Sequence, residues 1–212
     1  MKAIKAIIFD MDGVLIDARE WHYESLNMAL KLFGLEISRY DHLVTYDGLP
    51  TRRKLEMLSV EKSLPKKLHP LINAMKQKYT IKCVLQHCRP VFAHQQALSR
   101  LRHQGYRMAV CSNSVRNSVE MMMRQSGLLE YIEFFLSNED VKAPKPSPDI
   151  YLTAMARLGL KPRQCLIVED NEHGIRAAEA SGAHLLKVQS ANDVHYQNLV
   201  SRIQEIEAAA DG

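Results

Sequence analysis

The chain has 212 residues, 46% of them hydrophobic and 25% charged, with a net charge of +4. This is the composition of a globular protein, built as one large domain or as a domain carrying a smaller insertion. It excludes a disordered chain; no apolar run approaches the roughly 20 residues that span a bilayer, and the diffuse positive charge comes with no nucleic-acid-binding motif. The basic start Met1–Lys5 leads into an apolar stretch too short for a signal peptide. Four cysteines, Cys83, Cys88, Cys111 and Cys165, without secretory context predict free thiols in a reducing, cytoplasmic setting. Cys111 and Cys165 lie in apolar runs and read as small core residues. Cys83, His87 and Cys88 lack the second ligand pair of a metal site.

In chain order, the first element is the apolar run Ala6 to Phe9, a short buried strand. It breaks off at two carboxylates, Asp10 and Asp12, and at Gly13, where the chain can turn without a side chain in the way. Paired acids at the C-terminal end of a buried strand sit where an open α/β sheet presents its ligand-binding residues. Their repulsion calls for a counter-ion, and a hard divalent cation such as Mg²⁺ takes oxygen ligands. Residues 18–85 then read as helical throughout. Trp21, Leu26, Leu30 and Phe33 recur at near-helical spacing up to a Gly34 C-cap, and breaks follow at Gly48-Leu49-Pro50, Pro65 and Pro70. With no strand pattern, the segment reads as an inserted all-helical cap domain. It holds twelve Lys/Arg against seven Asp/Glu, a balance of +5, either a solvated basic surface or cations facing an anionic substrate.

From Pro90 the rhythm changes. A helix over 91–104 leads to a strand over 106–111, and a helix over 115–125 to a short strand at 134–136. A helix over 148–158 precedes a strand at 165–168, and a helix over 174–180 feeds a strand at 184–188. An amphipathic helix with Leu199, Val200, Ile203 and Ile206 closes the chain. This alternation predicts an α/β fold, a doubly wound, Rossmann-like parallel sheet formed by residues 1–17 and 86–212. Three polar segments follow its strands or turns: Ser112-Asn113-Ser114, Lys145 in a proline-rich loop, and Glu169-Asp170-Asn171. Singly each is an ordinary turn, loop or cap. Together with Asp10 and Asp12 they supply a carboxylate nucleophile, hydrogen-bond donors, a cation and metal-binding acids, the inventory of phosphoryl transfer.

These segments, Phe9-Asp-Met-Asp-Gly-Val-Leu-Ile-Asp17, Val110-Cys-Ser-Asn-Ser114, Lys145-Pro-Ser-Pro-Asp-Ile-Tyr151 and Val168-Glu-Asp-Asn-Glu-His-Gly-Ile-Arg-Ala-Ala178, resemble the four motifs of the haloacid dehalogenase-like hydrolases. The helical insertion is similar to the small cap of the subgroup holding β-phosphoglucomutase and the phosphoglycolate and sugar-phosphate phosphatases. The resemblance implies Asp10 as nucleophile and Asp12 as general acid and base. Ser112, assisted by Asn113, would hold a phosphoryl oxygen, and Lys145 would balance the charge. Mg²⁺ would be bound by Asp10, the Asp12 backbone carbonyl and Asp170, with Glu169 supporting. In the cap, His22 matches a histidine near the reacting oxygens, and Arg52, Arg53 and Lys54 are candidates for a second anionic group, with Arg52 foremost. Two departures stand out. Asn171 replaces the usual Ser or Thr, and Thr51 stands where the mutases carry arginine. The implied activity is a Mg²⁺-dependent phosphatase, a monomer acting on a small phosphorylated metabolite. A phosphomutase and a non-catalytic binding protein are the alternatives.

Overall fold

The structure, a computed structural model, describes residues 3–211. Five parallel strands form its centre: β1 (Ala6–Phe9), β2 (Arg107–Cys111), β3 (Phe134–Leu136), β4 (Cys165–Glu169) and β5 (His184–Lys187). They lie in the order β3-β2-β1-β4-β5. Ala6 is level with Arg107 on one side and Cys165 on the other, so Phe9 ends level with Val110 and Val168. The chain therefore leaves β1, β2 and β4 at one edge, and the segments carrying Asp10, Ser112 and Asp170 emerge side by side.

After β1 come α1 (Arg19–Lys31), a short α2 (Arg39–Asp41) that runs into a π-helical turn (His42–Tyr46), α3 (Thr51–Glu61) and α4 (His69–His87). Pro70 lies in the first turn of α4, so the break read from the sequence is a helix start, where proline's missing N–H costs nothing. Leu26, Leu30, Tyr46, Leu55, Leu58 and Ile72 give these helices an apolar core of their own. The rest of the chain supplies α5 (Phe92–His103), α6 (Arg116–Gln125), α7 (Asp149–Leu158), α8 (Glu172–Ser181) and α9 (Tyr196–Asp211). Among the described residues no helix is long and apolar enough to cross a membrane.

Successive side chains of a strand point to opposite faces. Ile7, Phe9, Met108, Val110, Leu166 and Val168 thus join one layer with α5, α6 and α9. Ala6, Ile8, Cys111, Cys165 and Ile167 join the other with α7 and α8. Both faces are covered, which is why the strands read as unbroken apolar runs rather than as alternations. All four cysteines are buried free thiols.

His42, at the start of the π-helical turn, is buried with its ring 5.2 Å from that of Tyr23. Burial, reinforced by Lys54, pushes its pKa down to about 4. Because the folded value lies below the unfolded one, an unfolded chain takes up a proton near pH 6.5 while the folded one does not. Stability is therefore lost as pH falls from about 6.5 towards 4, by about 2 kcal/mol at pH 5. Urea unfolding at pH 7.5 and pH 5 should show that excess loss in the wild type and not in His42→Phe; equal losses in both would refute it.

Candidate active site

The site is built where β1 ends. The Asp10 N–H donates to the Val168 carbonyl (3.0 Å), which fixes its carboxylate beside β4. The next residues coil tightly: Leu15 and Ile16 N–H both donate to the Met11 carbonyl (2.9 Å), and Gly13 N–H to that of Ile16 (2.7 Å). Gly13 has φ +89°, and a Cβ there would lie 2.0 Å from Asp170 Oδ2. Only glycine lets this turn pass so close to the second acid pair.

Lys145 spends its donors on Asp10 Oδ1 (2.5 Å), Glu169 Oε1 (2.6 Å) and the Cys111 carbonyl (2.9 Å). Its loop is held by Asn113, whose Oδ1 accepts from Lys145 N–H (3.0 Å) and whose amide donates to the carbonyls of Lys145 (3.3 Å) and Gly48 (3.1 Å). Glu169 also accepts from the Tyr151 hydroxyl (2.5 Å) and the Asp170 N–H (3.1 Å). α8 begins close enough that a Cβ on Gly174 would sit 1.8 Å from Glu169 Oε1. Burial alone would depress Lys145, but Asp10 and Glu169 outweigh it and hold its pKa above the ordinary lysine range. Burial pushes Asp10 well above the ordinary carboxylate range; Lys145 opposes this, while Glu169 and Asp170 add to it. Asp170 is pushed up to about 6 by burial and by Glu169. Oxygens of Asp10, Glu169 and Asp170 lie within 4.8 Å of one another. Three carboxylates crowded against one ammonium fit a hard, oxygen-seeking divalent cation.

Asp12 faces the other way. It accepts from Ser114 Oγ (2.8 Å) and more weakly from Ser112 Oγ (3.3 Å), and pairs with His22 Nε2 of α1 (3.0 Å). His22 Nδ1 lies 3.2 Å from Lys76 Nζ of α4. A protonated Lys76 can only donate, so Nδ1 accepts and Nε2–H is assigned as the donor to Asp12. Burial pushes Asp12 up, but His22, Ser114 and Lys76 together hold it below the ordinary value. Burial and Lys76 depress His22, with Asp12 working against them. Arg19, at the start of α1, spans Asp47 (3.0 Å) and Asp170 (3.1 Å). Asp10, Asp12, Arg19, His22, Lys76 and Asp170 line a cavity of about 150 Å³, partly open to solvent, between the helices and the sheet edge.

Asp10, Asp12, Ser112, Asn113, Lys145, Glu169, Asp170 and His22 thus converge. Arg52 does not join them: it stands at the rim, its side chain 90% exposed and bonded to Glu56. Of the cations at 52–54, the buried one is Lys54. Asn171 accounts for the departure at its position, because its side chain caps α8 by accepting from Gly174 N–H (3.0 Å). Its amide donates back towards Asp170 Oδ1 (3.3 Å). Sequence reasoning left Ser114, Tyr151, Arg19, Asp47 and Lys76 without roles. For Lys76 a signal existed: it shares the inward stripe of α4 with Ile72, Thr80, Cys83 and Val84, and a lysine on such a stripe is out of place unless it serves something.

Fold and site together define a Rossmann-like α/β protein with a carboxylate-rich centre at the C-terminal edge of its sheet, covered by helices. The chain belongs to the haloacid dehalogenase-like hydrolases, whose family model matches residues 7–188. It is 29% identical over 185 residues to the fructose-1-phosphate phosphatase YqaB of Escherichia coli, covering 86% of this chain and 95% of that one. It is 27% identical over 179 residues to the phosphoglycolate phosphatase of Aquifex aeolicus, covering 84% and 82%. Among solved structures, β-phosphoglucomutase of Clostridium difficile superposes with a TM-score of 0.82 at 19% identity, over 97% of this chain and 99% of that one, a likeness of fold.

Proposed function

We propose that the protein is a Mg²⁺-dependent phosphatase that hydrolyses a small phosphorylated metabolite through a phosphoryl-aspartate. The observation that carries this is the division of labour between the two aspartates of one short loop. Asp10 has Oδ1 held by Lys145, which leaves Oδ2 to attack phosphorus. Asp12 sits among hydroxyl and imidazole donors where a leaving oxygen would lie. The P–O bond to the alcohol breaks as the bond from Asp10 to phosphorus forms, and the alcohol oxygen takes a proton from Asp12. An arriving phosphate dianion raises the proton affinity of Asp12, which suits the acid half of the cycle. Water then gives its proton to Asp12 as it attacks phosphorus, releasing phosphate and restoring Asp10. Ser112 would serve a phosphoryl oxygen while Asn113 fixes the Lys145 loop beside it, and Lys145 opposes the burial that favours a protonated Asp10 without competing for phosphorus. Asp10, Asp170 and the Asp12 carbonyl would hold Mg²⁺, with Glu169 supporting; the bound ion would screen charge between phosphate and carboxylates.

In this reading residues 18–85 act as the cap over a core of 1–17 and 86–212, and the small, partly open cavity at the sheet edge suits a metabolite. Four free thiols fit a cytoplasmic enzyme, here proposed to act as a monomer. The phosphatase names of the relatives support the reaction class. The test is phosphate release from a panel of sugar phosphates and phosphoglycolate, with Mg²⁺ and with EDTA. Release that requires Mg²⁺ and no bisphosphate activator is expected. Conversion of β-glucose 1-phosphate to glucose 6-phosphate with little free phosphate, once the 1,6-bisphosphate is added, would replace this reading with a mutase.

A further inference from the structure

We propose that Arg19 and the divalent cation compete for Asp170, so that one guanidinium couples metal occupancy to the seating of the helical segment on the sheet edge. This goes beyond the phosphatase reading and needs only that the carboxylate cluster binds a divalent cation, whichever reaction follows.

Arg19 stands at the first position of α1, behind Ala18, which offers no side-chain cap. That is the positive end of the helix dipole, where acids are favoured and a cation is out of place. The helix therefore gives no reason for an arginine here; the reason lies in the two carboxylates it reaches. Its Nε donates to Asp47 Oδ2 (3.0 Å) and a terminal nitrogen donates to Asp170 Oδ2 (3.1 Å). Asp47 closes the π-helical turn His42–Tyr46, while Asp170 follows β4. Among the described residues, one other pair of titratable groups crosses from the helices of 19–87 to the rest of the chain, His22 with Asp12. His22 is assigned there as a neutral donor, so Arg19–Asp170 is the crossing contact that joins two charges.

The same carboxylate belongs to the cluster suited to a metal, with one oxygen each from Asp10, Glu169 and Asp170 lying within 4.8 Å of the others. Asp170 has little to spare. Its side chain is 2% exposed, Oδ2 accepts from Arg19, and Oδ1 accepts a longer contact from the Asn171 amide (3.3 Å). Lys145, the buried cation of the cluster, is bonded to Asp10 and Glu169 and leaves Asp170 to Arg19. A divalent ion ligated by Asp170 withdraws the negative charge that holds Arg19 and repels the guanidinium as a like charge. The clasp Asp47–Arg19–Asp170 then loses its hold on the core. What remains beside it is neutral, the Asn113 amide donating to the Gly48 carbonyl (3.1 Å). π-Helical turns are rare and gather at functional sites, so residues 42–50 are where a weakened clasp shows first.

Electron paramagnetic resonance counts free Mn²⁺ directly and gives metal affinity without turnover or substrate. The proteins are the full chain as wild type, Arg19→Met and Arg39→Met. Arg39 carries the same charge on the same helical segment and pairs with Glu20 (2.7 Å) instead. Arg19→Met should bind Mn²⁺ about tenfold more tightly than the wild type, within the range usual for coupled sites, and Arg39→Met like the wild type. Linkage makes the effect reciprocal. Saturating Mg²⁺ should therefore speed amide hydrogen exchange over residues 42–50 several-fold in the wild type and leave it unchanged in Arg19→Met. Unchanged or weaker binding by Arg19→Met would overturn the proposal, because an arginine that merely orients Asp170 would help the metal. Equal tightening in Arg39→Met would reduce the effect to net charge and overturn it too. Exchange over 42–50 that ignores Mg²⁺ in the wild type would do the same, and that comparison stands whether or not a variant folds. Absence of Mn²⁺ binding by the wild type would end the competition outright. Tighter metal binding by Arg19→Met, with no phosphate released from any phosphomonoester by the wild type, would sink the phosphatase reading and leave the competition standing.

Discussion

Asp10→Asn protein should release no measurable phosphate from any phosphomonoester that the wild type hydrolyses, a fall of at least about 10⁴-fold, the scale seen when a covalent nucleophile is removed. The amide is nearly the same size, so packing around β1 is retained and thermal unfolding should change little. What changes is chemistry. A carboxamide has no anionic oxygen to offer phosphorus, and it no longer balances the ammonium of Lys145 at 2.5 Å. Mass analysis of acid-quenched reactions should find a phosphoryl adduct in the wild type and none in the variant. Turnover near the wild-type rate would dispose of the covalent route altogether.

Lys145→Met should be the costliest single change for stability, about 3–5 kcal/mol in EDTA at pH 7, the range for breaking a buried ion pair from one side. Asp10 and Glu169 share that ammonium from within the protein, Glu169 with no exposed side-chain surface at all. Removing it leaves two buried carboxylates with only hydrogen bonds for support. They can escape by binding protons, so the deficit relative to wild type should shrink as pH falls towards 5. Urea unfolding of both proteins across that range gives the comparison. A constant, small difference would show that Lys145 contributes little to holding the sheet edge together. Mg²⁺ should recover part of the loss at pH 7, because it supplies positive charge to the same oxygens.

The parts of this architecture legible in the sequence are those where chemistry is tied to the ends of strands. β1, β2 and β4 are buried on both faces, so each is an uninterrupted apolar run, and polar residues begin where each stops. Asp10, Ser112 and Glu169 could be found by that break alone. The helical cover is different. Lys54 and Lys76 belong to separate helices, and only packing of α3 and α4 around Leu55, Leu58 and Ile72 brings them to one cavity. Spacing along the chain carries no trace of that meeting. The same holds for Arg19, which reaches Asp170 across 151 positions. Arg52 shows the reverse error: a cation in a suggestive tripeptide is turned outward by its place on α3, and its neighbour two residues on takes the inward position. Asn171 could be judged only once its side chain was seen capping α8.

The strand order has a consequence for how the chain must be made. β1 is made before the other four strands of the sheet and is the central one when the sheet is complete, between Arg107–Cys111 and Cys165–Glu169. At common rates of synthesis its second neighbour follows roughly 10–30 s later. Throughout that interval Ile7, Ile8 and Phe9 belong to a nascent chain with an unsatisfied edge, open to any other strand nearby. The helices of 19–87 are local in sequence and can condense early around their own apolar centre, whereas the sheet must wait for its fourth strand. Slowed elongation over residues 90–165 should therefore favour aggregates seeded by the N-terminal segment, and chaperones that shield short apolar runs should raise the yield of folded protein more than those acting after release.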